Sequence, residues 1–133
     1  MVDIAKYVGI PFADNRYVPI SFDGVDCYGL VRLFYRVEFG IEVPDPHISA
    51  IDVGRVFAEY RRCIISQWSD IPKPEPWCII AMAQDPLQPD LVQHFGILLP
   101  TSAVLHTSAE INAHVSHLSS IRWSIRGYYK WRS

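Results

Sequence analysis

The amino-acid sequence predicts a single α+β domain over residues 1–133, with N-terminal helices packed on an antiparallel β-sheet of about five strands. Three observations lead there. Two stretches in the first half, 26–39 and 53–68, repeat apolar residues at helical spacing. Five short β-like runs fill the second half, divided by turn formers. Helices come first and strands afterwards, rather than in alternation, which is the order of an α+β domain. Half of the 133 residues are hydrophobic and 13% are aromatic, enough for one packed core in a chain of single-domain length.

Taken in order, Val2, Ile4, Tyr7 and Val8 suggest a short amphipathic helix over residues 2–8, stopped by Gly9 and Pro11. Residues 10–25 hold Pro11, Asn15, Pro19, Asp23 and Gly24 and read as irregular. The clearest helix runs from Asp26 or Cys27 to Phe39, with Gly40 as its C-terminal stop. Tyr28, Leu30, Val31, Leu33, Phe34, Tyr35, Val37 and Phe39 cover most of its circumference, so it is expected to be largely buried. Arg32 and Arg36, one turn apart, mark a narrow solvated stripe.

Pro44, Asp45 and Pro46 then break the chain. A second helix is expected from Val53 to Trp68, with Val56, Phe57, Tyr60, Ile64 and Trp68 on one face and Glu59, Arg61 and Arg62 facing out. Pro72, Pro74 and Pro76 end it. The expected strands are Trp77–Ala83, Val92–Leu99, Ala103–Thr107, Ala113–Leu118 and Ile121–Tyr129.

A net charge of −2 offers no basic stripe for nucleic acid. No run approaches the roughly 18 apolar residues of a membrane span. Met1 to Lys6 include Asp3 and lack a signal-peptide pattern, so the chain is expected to be made in the cytoplasm. Export would then mean riding on a larger assembly. The cysteines, Cys27, Cys63 and Cys78, are odd in number and widely spaced. That points away from a disulfide framework or a zinc knuckle and towards a reduced compartment.

Cys27 sits in Gly24-Val25-Asp26-Cys27-Tyr28-Gly29-Leu30-Val31, in the first turn of the buried helix. Unpaired N–H groups and the helix dipole there favour thiolate over thiol. The same N–H groups are placed to hold an oxyanion. The plainer alternative is a small buried residue, the usual state of a free cysteine. For Cys63, in mid-helix, and Cys78, in an apolar strand, packing is the better reading.

Of five histidines, His94 opens the strand His94-Phe95-Gly96-Ile97-Leu98-Leu99 and His106 closes Val104-Leu105-His106-Thr107. With a turn at Pro100–Ser102 the two reach the same end of a hairpin; whether they share a face depends on register. One ring of such a pair accepts a thiol proton while the other fixes its tautomer and orientation. The alternative is two satisfied histidines at a sheet edge. A metal site is less favoured, since no third ligand has suitable spacing. His114 and His117 read as solvated, and His47 as a loop residue.

The stretch around Cys27 resembles the nucleophile motif of NlpC-family cysteine peptidases, and most of all their phage-tail branch, in which an aromatic and Gly-Leu-Val follow the cysteine. Phe39-Gly40-Ile41 and Pro44 resemble that branch's continuation. His94-Phe95-Gly96-Ile97-Leu98 resembles the family's histidine strand, and His106 falls where its third catalytic residue is expected. The likeness runs from about Tyr7 to Tyr129. Two departures stand out: the glycine pair upstream of the cysteine is missing from Phe12–Pro19, and Pro74-Glu75-Pro76 replaces the Gly-Asp ahead of the first strand.

The resemblance implies a papain-like NlpC-type domain that cleaves a peptide bond in peptidoglycan stem peptides, with no metal or organic cofactor. Cys27 would attack, His94 would act as base and His106 would orient it. The Cys27 N–H, with the Tyr17 hydroxyl, would hold the oxyanion. The implied partners are tail-tip or hub proteins of a phage or tail-like particle. Tyr128, Tyr129 and Trp131 are either docking residues or a last strand closing the core. The rival expectation is a structural protein on the same fold with its site unused.

Overall fold

The structure, a computed structural model, describes residues 2–132, without the side chains of Ile64 and Ile65. The expected place of Ile64 on the buried face of the second helix therefore lies outside the described part. Helix α1 spans Cys27–Phe39. The Asp26 side chain caps its start, and Gly40 ends it in the left-handed conformation, φ 67°, that glycine adopts without steric cost. Leu30, Val31, Leu33, Phe34 and Tyr35 are buried. Arg36 is paired with Glu42 in solvent, as expected of the polar stripe. Arg32 is not on it: its side chain is only 12% exposed, and its Nε donates to the Val43 carbonyl, tying the following loop to the helix.

Helix α2, Val53–Ser66, is capped by Asp52 and stops short of Trp68. Trp68 instead opens β1, Trp68–Ile71, a strand absent from the sequence reading. Its indole is fully buried, donates to the Tyr28 hydroxyl at 3.1 Å and packs edge-on against Trp131. Burying so large an aromatic outweighs one more turn of helix. At the N-terminus the expected helix over residues 2–8 shrinks to a 3₁₀ turn, Ile4–Lys6, before Gly9 turns the chain with positive φ.

The remaining strands are β2 Ile79–Met82, β3 His94–Leu98, β4 Ala103–His106, β5 His114–His117 and β6 Ile125–Trp131. The last expected strand starts late, because Leu118–Ile121 forms a short helix, α3, and Arg122–Ser124 a 3₁₀ turn. All six strands make one antiparallel sheet in the order β1-β6-β2-β3-β4-β5. β1 lies beside β6, with Trp68 opposite Trp131.

Helix α1 packs on β3. The main core lies between helices and sheet and includes Val25, Leu30, Phe34, Trp68, Ile79, Ile97 and Leu105. A smaller one of Cys78, Ile80, Met82, Leu98, Val104 and Leu118 fills the opposite face. Tyr129 is buried with its hydroxyl 2.7 Å from that of Tyr60, so the C-terminal aromatics close the core. Cys63 and Cys78 are buried free thiols. Among the described residues no helix is long and apolar enough to cross a membrane.

Candidate active site

Cys27 is the first residue of α1, and a bracket of hydrogen bonds places it. One Asp26 carboxylate oxygen accepts the Gly29 N–H at 2.7 Å; the other accepts the Asn15 N–H at 2.9 Å. In return Asn15 Oδ1 accepts the Asp26 N–H at 2.8 Å, and Asn15 Nδ2 donates to the carbonyls of Val18 and Gly24. The irregular segment and the helix start are thus one hydrogen-bonded unit. Glycine at position 29 permits it, because a Cβ there would lie 1.8 Å from Asn15 Oδ1.

The Cys27 sulfur lies 4.0 Å from the Gln93 carbonyl oxygen, and the N–H groups of Cys27, Tyr28 and Phe95 face it. The thiol therefore rests against the chain on either side of His94. In the β3–β4 pairing Ile97 is opposite Leu105 and Leu98 opposite Val104, so even-numbered residues of both strands share a face. This register sets His94 Nε2 2.8 Å from His106 Nδ1. His106 Nε2 is 2.7 Å from Ser116 Oγ on β5, and the His106 ring packs on His114 with centroids 4.3 Å apart. His94 and His106 are both buried. Nε2 of His94 is engaged and its Nδ1 has no hydrogen-bond partner among the described residues; the Cys27 sulfur makes its own hydrogen bond to the Gln93 carbonyl rather than to this ring.

No family model and no curated protein matches the chain. Solved structures do. The NlpC/p60 domain of the peptidoglycan hydrolase SagA superposes with a TM-score of 0.59 over 95% of this chain and 91% of that one, at 15% identity. NlpC2 from Trichomonas vaginalis gives 0.70 over 98% of this chain at 16% identity, and an NlpC/P60 family protein from Bacillus cereus ATCC 10987 gives 0.64 over 94% at 19%. The chain has the NlpC/p60 fold. It spans nearly the whole SagA domain but only 44% of NlpC2 and 36% of the Bacillus protein.

In this chain of NlpC/p60 fold the thiol is not in the state expected at a helix start. Burial, with the adjacent Asp26 charge second, pushes the Cys27 thiol up to about 12. The three N–H groups oppose this shift and lose, because desolvating a thiolate costs more than their partial charges return. Burial and the neighbouring imidazoles push His94 down to about 3, and burial with His114 pushes His106 down to about 4. The resting site therefore holds a neutral thiol and two neutral imidazoles. Attack through such a thiol has to move the proton and form the bond together, with the imidazole as general base.

The same burial makes stability depend on pH. An unfolded histidine titrates near 6.5, whereas both folded imidazoles stay neutral well below that. The unfolded chain binds more protons in between, so stability is full above about pH 6.5 and falls as pH drops towards 4. Urea unfolding is expected to show a loss on the order of 4 kcal/mol between about pH 6.5 and about pH 4.5, about half from each imidazole. A flat profile over that window would show that the imidazoles are not buried uncharged.

Tyr17 is not brought to the site. It is 78% exposed and is not among the residues lining the cavity that opens onto Cys27 between α1, α2 and the 45–50 loop. The Asp14–Tyr17 turn, closed by a 3.0 Å bond from the Tyr17 N–H to the Asp14 carbonyl, aims Asn15 inward instead. The Cys27 N–H remains beside the sulfur. Sequence reasoning passed over Asn15 and Ser116 and read His114 as solvated. Asn15 carried no signal beyond being a turn former. His114 and Ser116 alternate on the face of β5 that meets His106, a pattern with meaning only once β5 pairs with β4. Among the described residues no group of three or more His, Cys, Asp or Glu is arranged to hold a metal ion.

Proposed function

We propose that the chain is a cysteine peptidase acting on the stem peptide of peptidoglycan. The observation that carries this reading is the Cys27 thiol, at the start of a buried helix, lying against the segment that bears a His94–His106 pair. His94 Nδ1 takes the thiol proton as sulfur attacks the substrate carbonyl carbon. The carbonyl oxygen, now negative, is met by the Cys27 N–H. The C–N bond breaks, His94 returns the proton to the leaving amine, and a thioester remains. Water, deprotonated by the same imidazole, then releases the acyl group. His106 holds the orientation of His94. The substrate class is supported by the fold shared with the SagA peptidoglycan hydrolase domain.

We place this activity in the tail tip of a phage or tail-like particle, docked on hub proteins and opening the wall during entry. Tyr28-Gly29-Leu30-Val31, Phe39-Gly40-Ile41 and Pro44 support that placement. The test is digestion of purified cell wall followed by mass spectrometry of the fragments. Cuts within the stem peptide are expected; a cut between sugar and stem would reject the assignment in favour of an amidase. A second reading, a structural protein of such a particle with an idle site, is favoured by the strongly protonated thiol and by the outward Tyr17. It predicts no fragments at all.

A further inference from the structure

We propose that Ser116 is a positioning residue: by accepting the Nε2 hydrogen of His106 it keeps open the tautomer that leaves Nδ1 of His94 bare and that His94 needs once it carries a second proton. The proposal rests on the peptidase reading, which uses Cys27, His94 and His106 and leaves Ser116 without a task.

At 2.8 Å, His94 Nε2 and His106 Nδ1 share a single hydrogen, so two arrangements exist. In one, His94 donates. His106 then accepts at Nδ1, carries its own hydrogen on Nε2 and gives it to Ser116 Oγ at 2.7 Å. In the other, His106 donates from Nδ1. His94 then carries its hydrogen on Nδ1 and has no lone pair for a thiol proton. A serine hydroxyl, both donor and acceptor, completes either chain at rest. The charged state breaks the tie. Once His94 holds a second proton, both its nitrogens bear hydrogens and His106 has to accept. The Nε2 hydrogen of buried His106 then needs an acceptor, and Ser116 Oγ is the one at hydrogen-bond distance among the described residues.

Two further features hold the ring in place. His114, directly opposite His106 in the β4–β5 ladder, packs its ring against it at 43°. Its Nδ1 hydrogen is given to the Asn112 carbonyl at 2.8 Å, so that ring is anchored beside His106. The hydroxyl thus stands at the end of a fixed relay, Cys27 segment to His94 to His106 to Ser116.

The test compares Ser116→Ala with Ser116→Thr, which keeps the hydroxyl. Leaving a buried N–H without an acceptor is expected to lower kcat/KM on wall fragments by about tenfold to a hundredfold in Ser116→Ala, mostly through kcat, with Ser116→Thr within a few-fold of the parent. Nitrogen-15 spectra of the imidazoles supply the second readout. Ser116→Ala should hold more of the hydrogen on Nδ1 of both rings than the parent and Ser116→Thr do. Unchanged tautomers in Ser116→Ala overturn the proposal, as does undiminished kcat/KM in a background where Cys27→Ala is inactive. If the parent protein does not digest wall, the peptidase reading fails, and the tautomer shift alone decides whether Ser116 sets the hydrogen positions.

Discussion

Replacing Cys27 by alanine is expected to abolish wall hydrolysis, lowering kcat/KM by at least about a thousandfold while the fold persists. The proposed reaction forms its covalent bond at this sulfur, and the other two cysteines are placed differently. Cys63 lines the same cavity from α2, but its neighbours are Glu59 and Arg62, each 3.9 Å away, rather than a histidine. Cys78 belongs to the core on the other face of the sheet. Removing one sulfur from a buried site should cost about 1 kcal/mol of stability, offset in part because a poorly solvated thiol goes with it. Activity and unfolding midpoint measured on the same preparation separate the effects. Equal hydrolysis by parent and Cys27→Ala would remove the nucleophile from the proposal.

Gly29→Ala is expected to do the greatest structural damage of any single methyl group at the site. In an ordinary helix the change stabilises by about 1 kcal/mol. Here the new Cβ would stand 1.8 Å from Asn15 Oδ1 and 2.9 Å from both Asn15 Cγ and Asp26 Oδ1. Asn15 would have to leave, and the Asp26 N–H and the carbonyls of Val18 and Gly24 would lose its hydrogen bonds. A loss of roughly 2–4 kcal/mol is expected from steric overlap and unpaired polar groups together. Gly54→Ala in α2 is the internal control. Nothing lies within 4 Å of a Cβ there, so it should follow the ordinary helix rule and stabilise. Urea unfolding of the two variants should therefore move in opposite directions. If Gly29→Ala unfolds with the parent, the Asn15–Asp26 bracket does not hold the helix start.

Helix α1 shows why part of the site was legible. Its beginning at Asp26 and Cys27, and its end at Gly40, are written in the capping residues themselves, and the structure places both there. His94 and His106 could be put at one end of a hairpin because strand period and turn residues are equally local. Trp68 shows the opposite case: its place in helical register was real, yet it opens a strand, because its partner Trp131 lies at the far end of the chain. Asn15 and Ser116 escaped notice for the same reason. Each acts on a residue of another segment, Asp26 and His106, and neither has a sequence pattern of its own.

By itself, then, the amino-acid order determined that an α+β domain would carry a cysteine at a helix start and two histidines on neighbouring strands. Caps, turns and apolar periodicity act over a few residues and need no distant contact. Only the tertiary structure decided that the histidines share a face, that Asn15 rather than Tyr17 turns inward, and that the thiol rests protonated. Register, side-chain neighbours and desolvation arise when segments far apart in the chain exclude water between them, and that exclusion exists only in the folded molecule.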